Sequence, residues 1–385
     1  MRPALGHLHD PFLLKGIDAA VDRIGRALRA GEPVMIYGDY DVDGLTAVAI
    51  LRQALVALGA EVDYYIPHRL NEGYGLNSDA IEELAARGST LIVTVDCGIT
   101  ACEEALQARR LGVDLIVTDH HQPSEDLPEA LAVINPLQPG CAYPFKKLAG
   151  AGVAFKLAHA LLRRHHPDPA AAKGLLKSML DLVALGTIAD VVPLVGENRS
   201  LVTAGLELLR TTERIGLRRL CERASLKQAL LDATHISFGL APRLNAAGRT
   251  EHAMFGAELL MTEDSAEAGR LAEQLETFNN TRRQIEQQML NDAIGMLGPH
   301  VGDRVVVVAQ DGWHPGVLGI VASRIVNLLN RPAFVIGIDG DTGKGSGRSI
   351  PGFDLHAALA ACNGCLVRFG GHRMAAGLTV AADRL

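Results

Sequence analysis

The stretch Val34-Met35-Ile36-Tyr37-Gly38-Asp39-Tyr40-Asp41-Val42-Asp43-Gly44 sets a short apolar run against three carboxylates on alternate residues. Four consecutive apolar residues ahead of a glycine have the length and composition of a buried strand rather than a helix. Like charges a few ångströms apart raise one another's pKa unless a cation sits among them, so the cluster after the strand asks for a metal. An EF-hand loop also begins D-x-D-x-D-G, but it needs a bidentate Glu at its twelfth position, which counted from Asp39 is Ile50. Taken alone, the stretch is also compatible with an acidic surface turn.

Working outward, the strand pattern recurs at Val62 to Ile66, Leu91 to Val95, Leu115 to Thr118 and Leu131 to Ile134. Between these runs lie segments of helix length, such as Leu45 to Leu58 and Ser78 to Arg87. Strand-helix repetition predicts a doubly wound α/β domain with a parallel sheet, right-handed crossovers and helices on both faces. A more helical region follows over residues 150–249. Leu271, Leu275, Phe278, Ile285, Met289 and Met296 then mark one face of a long helix from Glu263 to Leu297, which Gly298-Pro299 ends. At 1.5 Å per residue it runs about 50 Å, the length of a connector between domains. Arg304 to Ala309 opens a second, smaller α/β unit with a further strand at Phe334 to Ile338. The expected division is residues 1–255, a connecting helix over 256–297, and residues 298–385.

The 385 residues suffice for two cores, and 48% hydrophobic content with a mean hydropathy of +0.15 describes an ordinary globular chain. No basic segment leads into an apolar core at the N-terminus and no apolar run nears the ~18 residues of a membrane span, so the cytosol is the expected address. Six cysteines give no disulfide framework. The single C-x-x-C, Cys362 and Cys365, reads as helix packing rather than as zinc or redox chemistry. A net charge of −7 leans away from nucleic acid. A carboxylate-rich metal centre, however, contributes negative charge that its ions neutralise.

Ligands bind beyond the carboxyl ends of strands in a parallel sheet. Asp39, Asp41 and Asp43 follow the first strand, Asp96 closes the third in LIVTVDCG, and Asp119-His120-His121 closes the fourth in DLIVTDHH. All point to one edge. Asp190, in ALGTIADVVPL, is a further acidic residue set among apolar neighbours. Each residue alone has a plain reading, as a helix cap or a core histidine. Together, five or more carboxylates with two histidines call for metal, and oxygen-rich ligands suit Mn2+ or Mg2+ better than structural zinc. The donors suffice for two ions, which clamp the attacking and leaving oxygens of a phosphoryl displacement.

These motifs resemble the DHH phosphoesterase family, and the whole set is similar to its RecJ branch of single-strand-specific exonucleases. DYDVDG, VTVDCG, TDHH and GTIADVVPL carry the likeness in the first domain; PRLNAAGR, DGWHPGVLGIVASR, GSGRSIPGFDLHAAL and GGHRMAAG carry it further on. The resemblance implies Asp41, Asp43, Asp96, His120 and Asp190 as metal ligands, with Asp96 the bridge. It sets His121 at the scissile phosphate and has Asp119 orient the histidines. Asp39 stays open between ligation and orienting water. Arg243, Asn245 and Arg249 would contact the nucleic acid from the catalytic domain. Ser346, Arg348, Gly371 and His372 would do so from a DHH-associated domain, across a groove too narrow for a duplex. By its residues, Gly345 to Ser349 reads as a phosphate loop, although it is no P-loop.

The implied activity is 5′-to-3′ exonucleolytic hydrolysis of single-stranded DNA to mononucleotides in repair and recombination. The expected protein is a monomer with a helicase and a single-strand-binding protein as partners and no membrane association. A nanoRNA or cyclic-dinucleotide phosphodiesterase is the alternative within the superfamily, and a scaffold without catalysis is the alternative outside it. Family members in bacteria usually continue into an oligonucleotide-binding domain, so the chain to Leu385 is expected to be a catalytic core.

Overall fold

β1 (Val34–Gly38) is buried along its whole length, as its unbroken apolar run requires. This is a computed structural model describing residues 3–297, except 70 and 74, together with 304–385. β1 lies between β2 (Val62–Tyr65) and β3 (Leu91–Val95); β4 (Asp114–Thr118) and β5 (Ala132–Ile134) follow, all parallel in the order 2-1-3-4-5. The order reverses between β1 and β3, the point at which such sheets bind ligands.

Five helices cover this sheet: α1 (Ile17–Ala30), α2 (Val42–Ala57), α3 (Ser78–Ala86), α4 (Cys102–Arg110) and α5 (Gly150–His165). Alternation along the strands sorts them. Met35, Tyr37, Ile92, Leu115 and Val117 pack against α3 and α4, and α1, α2 and α5 take the other face. Gly38 lets α2 approach, since a Cβ there would lie 2.3 Å from Val48 Cγ2. The sequence predicts α2 from Leu45, but it begins at Val42 because the Asp41 carboxylate caps it, accepting from the Asp43 and Gly44 N–H groups at 2.9 and 3.2 Å. Asp43 is thereby placed in the first helical turn.

The helical region comprises α6 (Pro169–Ser178), α7 (Leu180–Ala189), α8 (Gly196–Leu209) and α9 (Ile215–Arg223). A single turn, α10 (Ala233–His235), runs through a π-turn into α11 (Ala241–Thr250), and α12 (Met254–Met261) follows. A buried ion pair, Lys156 Nζ to Glu197 Oε1 at 2.7 Å, ties α5 to α8; Tyr143 and the backbone of His9 complete it. The long helix, α13 (Ser265–Leu297), buries Leu271, Leu275 and Met289, but Met296 is exposed. The Gly298-Pro299 stop lies outside the described residues.

Two compact units result, Met1–Thr277 and Phe278–Leu385, with the boundary inside α13. The second unit contains β6 (Val306–Asp311), α14 (Leu318–Leu329), β7 (Ala333–Asp339), β8 (Thr342–Arg348), α15 (Leu355–Ala361), β9 (Leu366–Gly371) and β10 (Ala375–Ala381). Its sheet runs 6-7-8-10-9, parallel only between β6 and β7. Met289 and Ala293 of α13 belong to its core, as does Trp313.

Two readings of this unit need correction. Gly345 to Arg348 form a central strand, not a phosphate loop: their backbone lies in register with β7 and β10 on both sides. The glycines are there for space, since a Cβ on Gly347 would come within 2.4 Å of Phe334 Cε1. Cys362 and Cys365 are exposed free thiols and not packing residues. Among the described residues, no helix is long and apolar enough to cross a membrane.

Candidate metal centre

At the carboxyl edge of the first sheet, each strand delivers its acid by a different local device. Asp39 follows β1 and is 3% exposed. Asp43 is turned inward, where the N-terminus of α5 receives it: the Gly150 N–H donates to Oδ2 at 2.6 Å and the Ala151 N–H to Oδ1 at 2.8 Å. A helix N-terminus favours such an anion. Asp96 leaves β3 with a φ of 65°, a strained left-handed conformation for a residue other than glycine. Its neighbour across the site has to be glycine, because a Cβ on Gly150 would sit 2.3 Å from Asp96 Oδ1. Asp190 caps the carboxyl end of α7. That helix packs closely on α2, since a Cβ on Gly186 would lie 2.3 Å from Thr46 Oγ1 and 2.8 Å from Asp43 Oδ1.

His120 joins these acids. Its Nε2 lies 3.1 Å from Asp96 Oδ1, 3.6 Å from Asp190 Oδ2 and 3.7 Å from Asp43 Oδ2. Asp119, 1% exposed, accepts from the backbone N–H groups of Ile99, His120 and His121, and its Oδ1 lies 2.7 Å from His121 Nδ1. Three sets of donors each fall within 4.8 Å: Asp39, Asp41 and Asp96; Asp43, His120 and Asp190; Asp96, His120 and His121. The first two share no residue, and Asp96 and His120 link them through the third.

The electrostatics mark a centre assembled for cations. Burial, then Asp41, pushes Asp43 up to about 7 and holds Asp39 well above the usual carboxylate range. Burial, then Asp43, raises Asp96 well above that range and Asp190 to about 8. Burial, then His121, lowers His120 to about 4. Burial acts against the charge on His121, but Asp119 more than offsets it and lifts the ring to about 9. Asp119 answers the same contact: burial works to raise it, and His121 brings it below its ordinary value. Asp39 Oδ1, Asp96 Oδ1, His120 Nε2 and Asp190 Oδ2 are buried without a hydrogen-bond partner. Unpaired buried polar atoms are costly and normally absent. Cations held by the two separate sets would give these atoms partners, and carboxylates with imidazole suit Mn2+ or Mg2+. The thiol of Cys97, next to Asp96, instead approaches the Tyr37 carbonyl at 3.9 Å.

The remaining candidates divide. Arg243 is held by Glu276 and by the Gly239 carbonyl, so its guanidinium is engaged within the fold. Asn245 Oδ1 accepts from the Val42 N–H at 3.0 Å, fastening α11 to the start of α2. Arg249 acts electrostatically on Tyr40, beside the acids. In the second unit, Arg348 Nη1 donates to Ser346 Oγ at 3.0 Å. Gly371, with a φ of 131°, turns β9 into β10, where a Cβ would lie 2.5 Å from the Ala375 carbonyl; His372 is exposed.

Several contributors carry little sequence signal. Gly150 and Ala151 act through backbone N–H groups alone. Asn135, wholly buried, donates to the His121 carbonyl at 2.9 Å from the end of β5. Arg69 lies 4.7 Å over the Tyr40 ring. The Asn-Pro that follows β5 and the Gly-Ala-Gly that opens α5 are the signals that could have drawn attention to two of these.

The model of the DHH family, N-terminal domain, matches residues 33–187, and that of the DHHA1 domain matches residues 302–385. The chain is 49% identical over 378 residues to the single-stranded-DNA-specific exonuclease RecJ of Bacillus subtilis, covering 97% of this chain and 47% of that protein. It is 42% identical over 398 residues to RecJ of Dickeya dadantii, covering 99% and 69%. A crystal structure of exonuclease RecJ bound to manganese superposes with a TM-score of 0.83 at 40% identity, covering 96% of this chain and 91% of the other. RecJ of Thermus thermophilus in complex with Mn2+ gives 0.84 at 38%, covering 96% and 53%. The chain thus spans about half to two thirds of the length of these curated relatives.

Proposed function

We propose, because this chain belongs to the DHH family and within it to the RecJ single-stranded-DNA-specific exonucleases, that it hydrolyses single-stranded DNA from the 5′ end to mononucleotides with Mn2+ or Mg2+. The observation that carries this reading is the quartet of buried, unpartnered donor atoms on Asp39, Asp96, His120 and Asp190. Asp41, Asp43, Asp96, His120 and Asp190 would hold two ions, and the grouping of Asp39 with Asp41 and Asp96 favours ligation for it too. Ions bound there supply the Lewis acidity that activates water and stabilises charge on the phosphate and the leaving oxygen.

The chain's own groups do the rest. Gly150 and Ala151 keep Asp43 in the orientation that faces His120. Asp119 fixes the His121 ring through Nδ1 and keeps it protonated, leaving the ring to donate to a phosphate oxygen as negative charge grows. Arg249, Asn245, Ser346, Arg348, Gly371 and His372 would contact the strand. Arg243 would serve by bracing α11 against α13 rather than by touching phosphate. A role in DNA repair and recombination, a cytoplasmic site of action, and a helicase and single-strand-binding protein as partners complete the proposal.

Digestion of a long single strand labelled at either end tests it, with Mn2+, with Mg2+ and with chelator, beside Asp96→Ala. The expected result is early release of labelled mononucleotide from the 5′-labelled strand only, abolished by chelator and by the substitution. Intact long DNA with rapid cleavage of dinucleotides or short RNA would instead identify a small-substrate phosphodiesterase.

A further inference from the structure

Asn198 lies in the first turn of α8 with no exposed surface. Its Nδ2 donates to two carbonyls, that of Lys147 at 2.5 Å from a distant part of the chain and that of Pro193, five residues back, at 3.1 Å. Each belongs to a segment that carries part of the metal centre. Lys147 opens the stretch whose Leu148 backbone meets the His120 ring and whose Gly150 and Ala151 N–H groups hold Asp43. Pro193 lies three residues after Asp190 in an exposed loop, Val191 being 83% and Val195 51% exposed, and its carbonyl also accepts the Val195 N–H at 2.9 Å. Val191 also has a φ of 62°, which a β-branched side chain adopts only when its surroundings compel it.

We infer that Asn198 is a positioning residue of the metal centre, a two-ended donor that sets the Asp190 loop against the segment that orients Asp43 and His120. This extends the metal reading proposed above and rests on it. The side chain's acceptor supports the assignment, because Asn198 Oδ1 is buried without a partner. A residue that served only to fill space would be apolar there, whereas an amide with an idle oxygen is kept for what its nitrogen reaches. Aspartate, of nearly the same shape, would put an acceptor against two acceptors.

Calorimetric titration of metal-free protein with Mn2+ tests the inference, on wild type, Asn198→Ala, Asn198→Asp and Val202→Ala. The last removes buried volume one turn further along the same helix, taking away neither hydrogen bond, and calibrates simple destabilisation. Loss of a hydrogen bond that orients ligands typically weakens metal binding roughly 10–100-fold. That loss is expected for Asn198→Ala, with at least as much for Asn198→Asp, while Val202→Ala binds Mn2+ as wild type does. Should Asn198→Asp fail to fold, Asn198→Ala, which buries no charge, decides. Unchanged Mn2+ affinity in Asn198→Ala, whether or not its melting temperature falls, would overturn the inference. If wild type itself takes up no Mn2+, it is the metal reading that fails.

Discussion

Asp96 holds a left-handed backbone, a carboxylate among other carboxylates and a contact with His120, costs that accumulate on one side chain only where a cation relieves them. Asp96→Ala is therefore expected to weaken Mn2+ binding by more than the roughly 100-fold that losing a supporting hydrogen bond costs. His121→Ala should keep Mn2+ affinity while turnover drops by about 10²- to 10⁴-fold. Equal losses of affinity in the two variants would make His121 a ligand. Acidity provides a separate handle. In metal-free protein Asp43 and Asp190 keep protons to about pH 7 and 8, well above the ordinary 3.8, so each costs stability as pH rises through that range. His121, raised from 6.5 to about 9, contributes stability that is complete below pH 6.5 and lost as pH passes 9. His120, lowered to about 4, acts in the opposite sense, but only between about pH 4 and 6.5. Above 6.5 the signs agree: metal-free Tm should fall from pH 6.5 to 9, and saturating Mn2+ should flatten the decline. A metal-free Tm that rises across this window would refute the assignment. Residues of this kind were legible because acids and histidines announce chemistry by type. Asn135 and Asn198 were not, since one amide among ordinary polar residues shows its purpose only through the carbonyls it reaches.

The elements that position the centre depend on close approach more than on charge. α2, α5 and α7 meet through Gly150 and Gly186, and the space these glycines leave is where Asp43 and Asp96 sit. Gly186→Ala should destabilise the fold by about 1–3 kcal/mol through overpacking and weaken Mn2+ binding as Asp43 is displaced. Denaturant unfolding with and without metal would measure both, and a stable variant with normal Mn2+ affinity would show that α7 has slack to move away. Helices and parallel strands of the first unit were legible from length and alternation. β8 was not, because Thr342-Gly343-Lys344-Gly345-Ser346-Gly347-Arg348 has the composition of a turn. Its strand character comes from hydrogen bonding on both sides and from Phe334, Ile336 and Leu378 filling the space over its glycines. Such tertiary decisions leave little trace in a local window.

At the scale of the molecule, the candidate ligands found among the described residues all belong to Met1–Thr277. A ligand that binds only folded protein stabilises by about 2.7 kcal/mol at 100 times its Kd. Scanning calorimetry with Mn2+ should accordingly raise the melting transition of the first unit by several degrees and leave that of the second in place. A shift confined to the second unit would move the metal site off the first. Unfolding also exposes a chemistry that the native state suppresses. An aspartyl-glycyl bond in a mobile chain cyclises when the glycine nitrogen attacks the neighbouring carboxyl and expels water, and hydrolysis of the ring gives largely isoaspartate. Asp43-Gly44 is such a bond, yet its carboxylate is engaged by Gly150 and Ala151 and its glycine N–H by Asp41. The folded centre is thus its own preservative, and a molecule that spends time unfolded ages at the residue its ions would need.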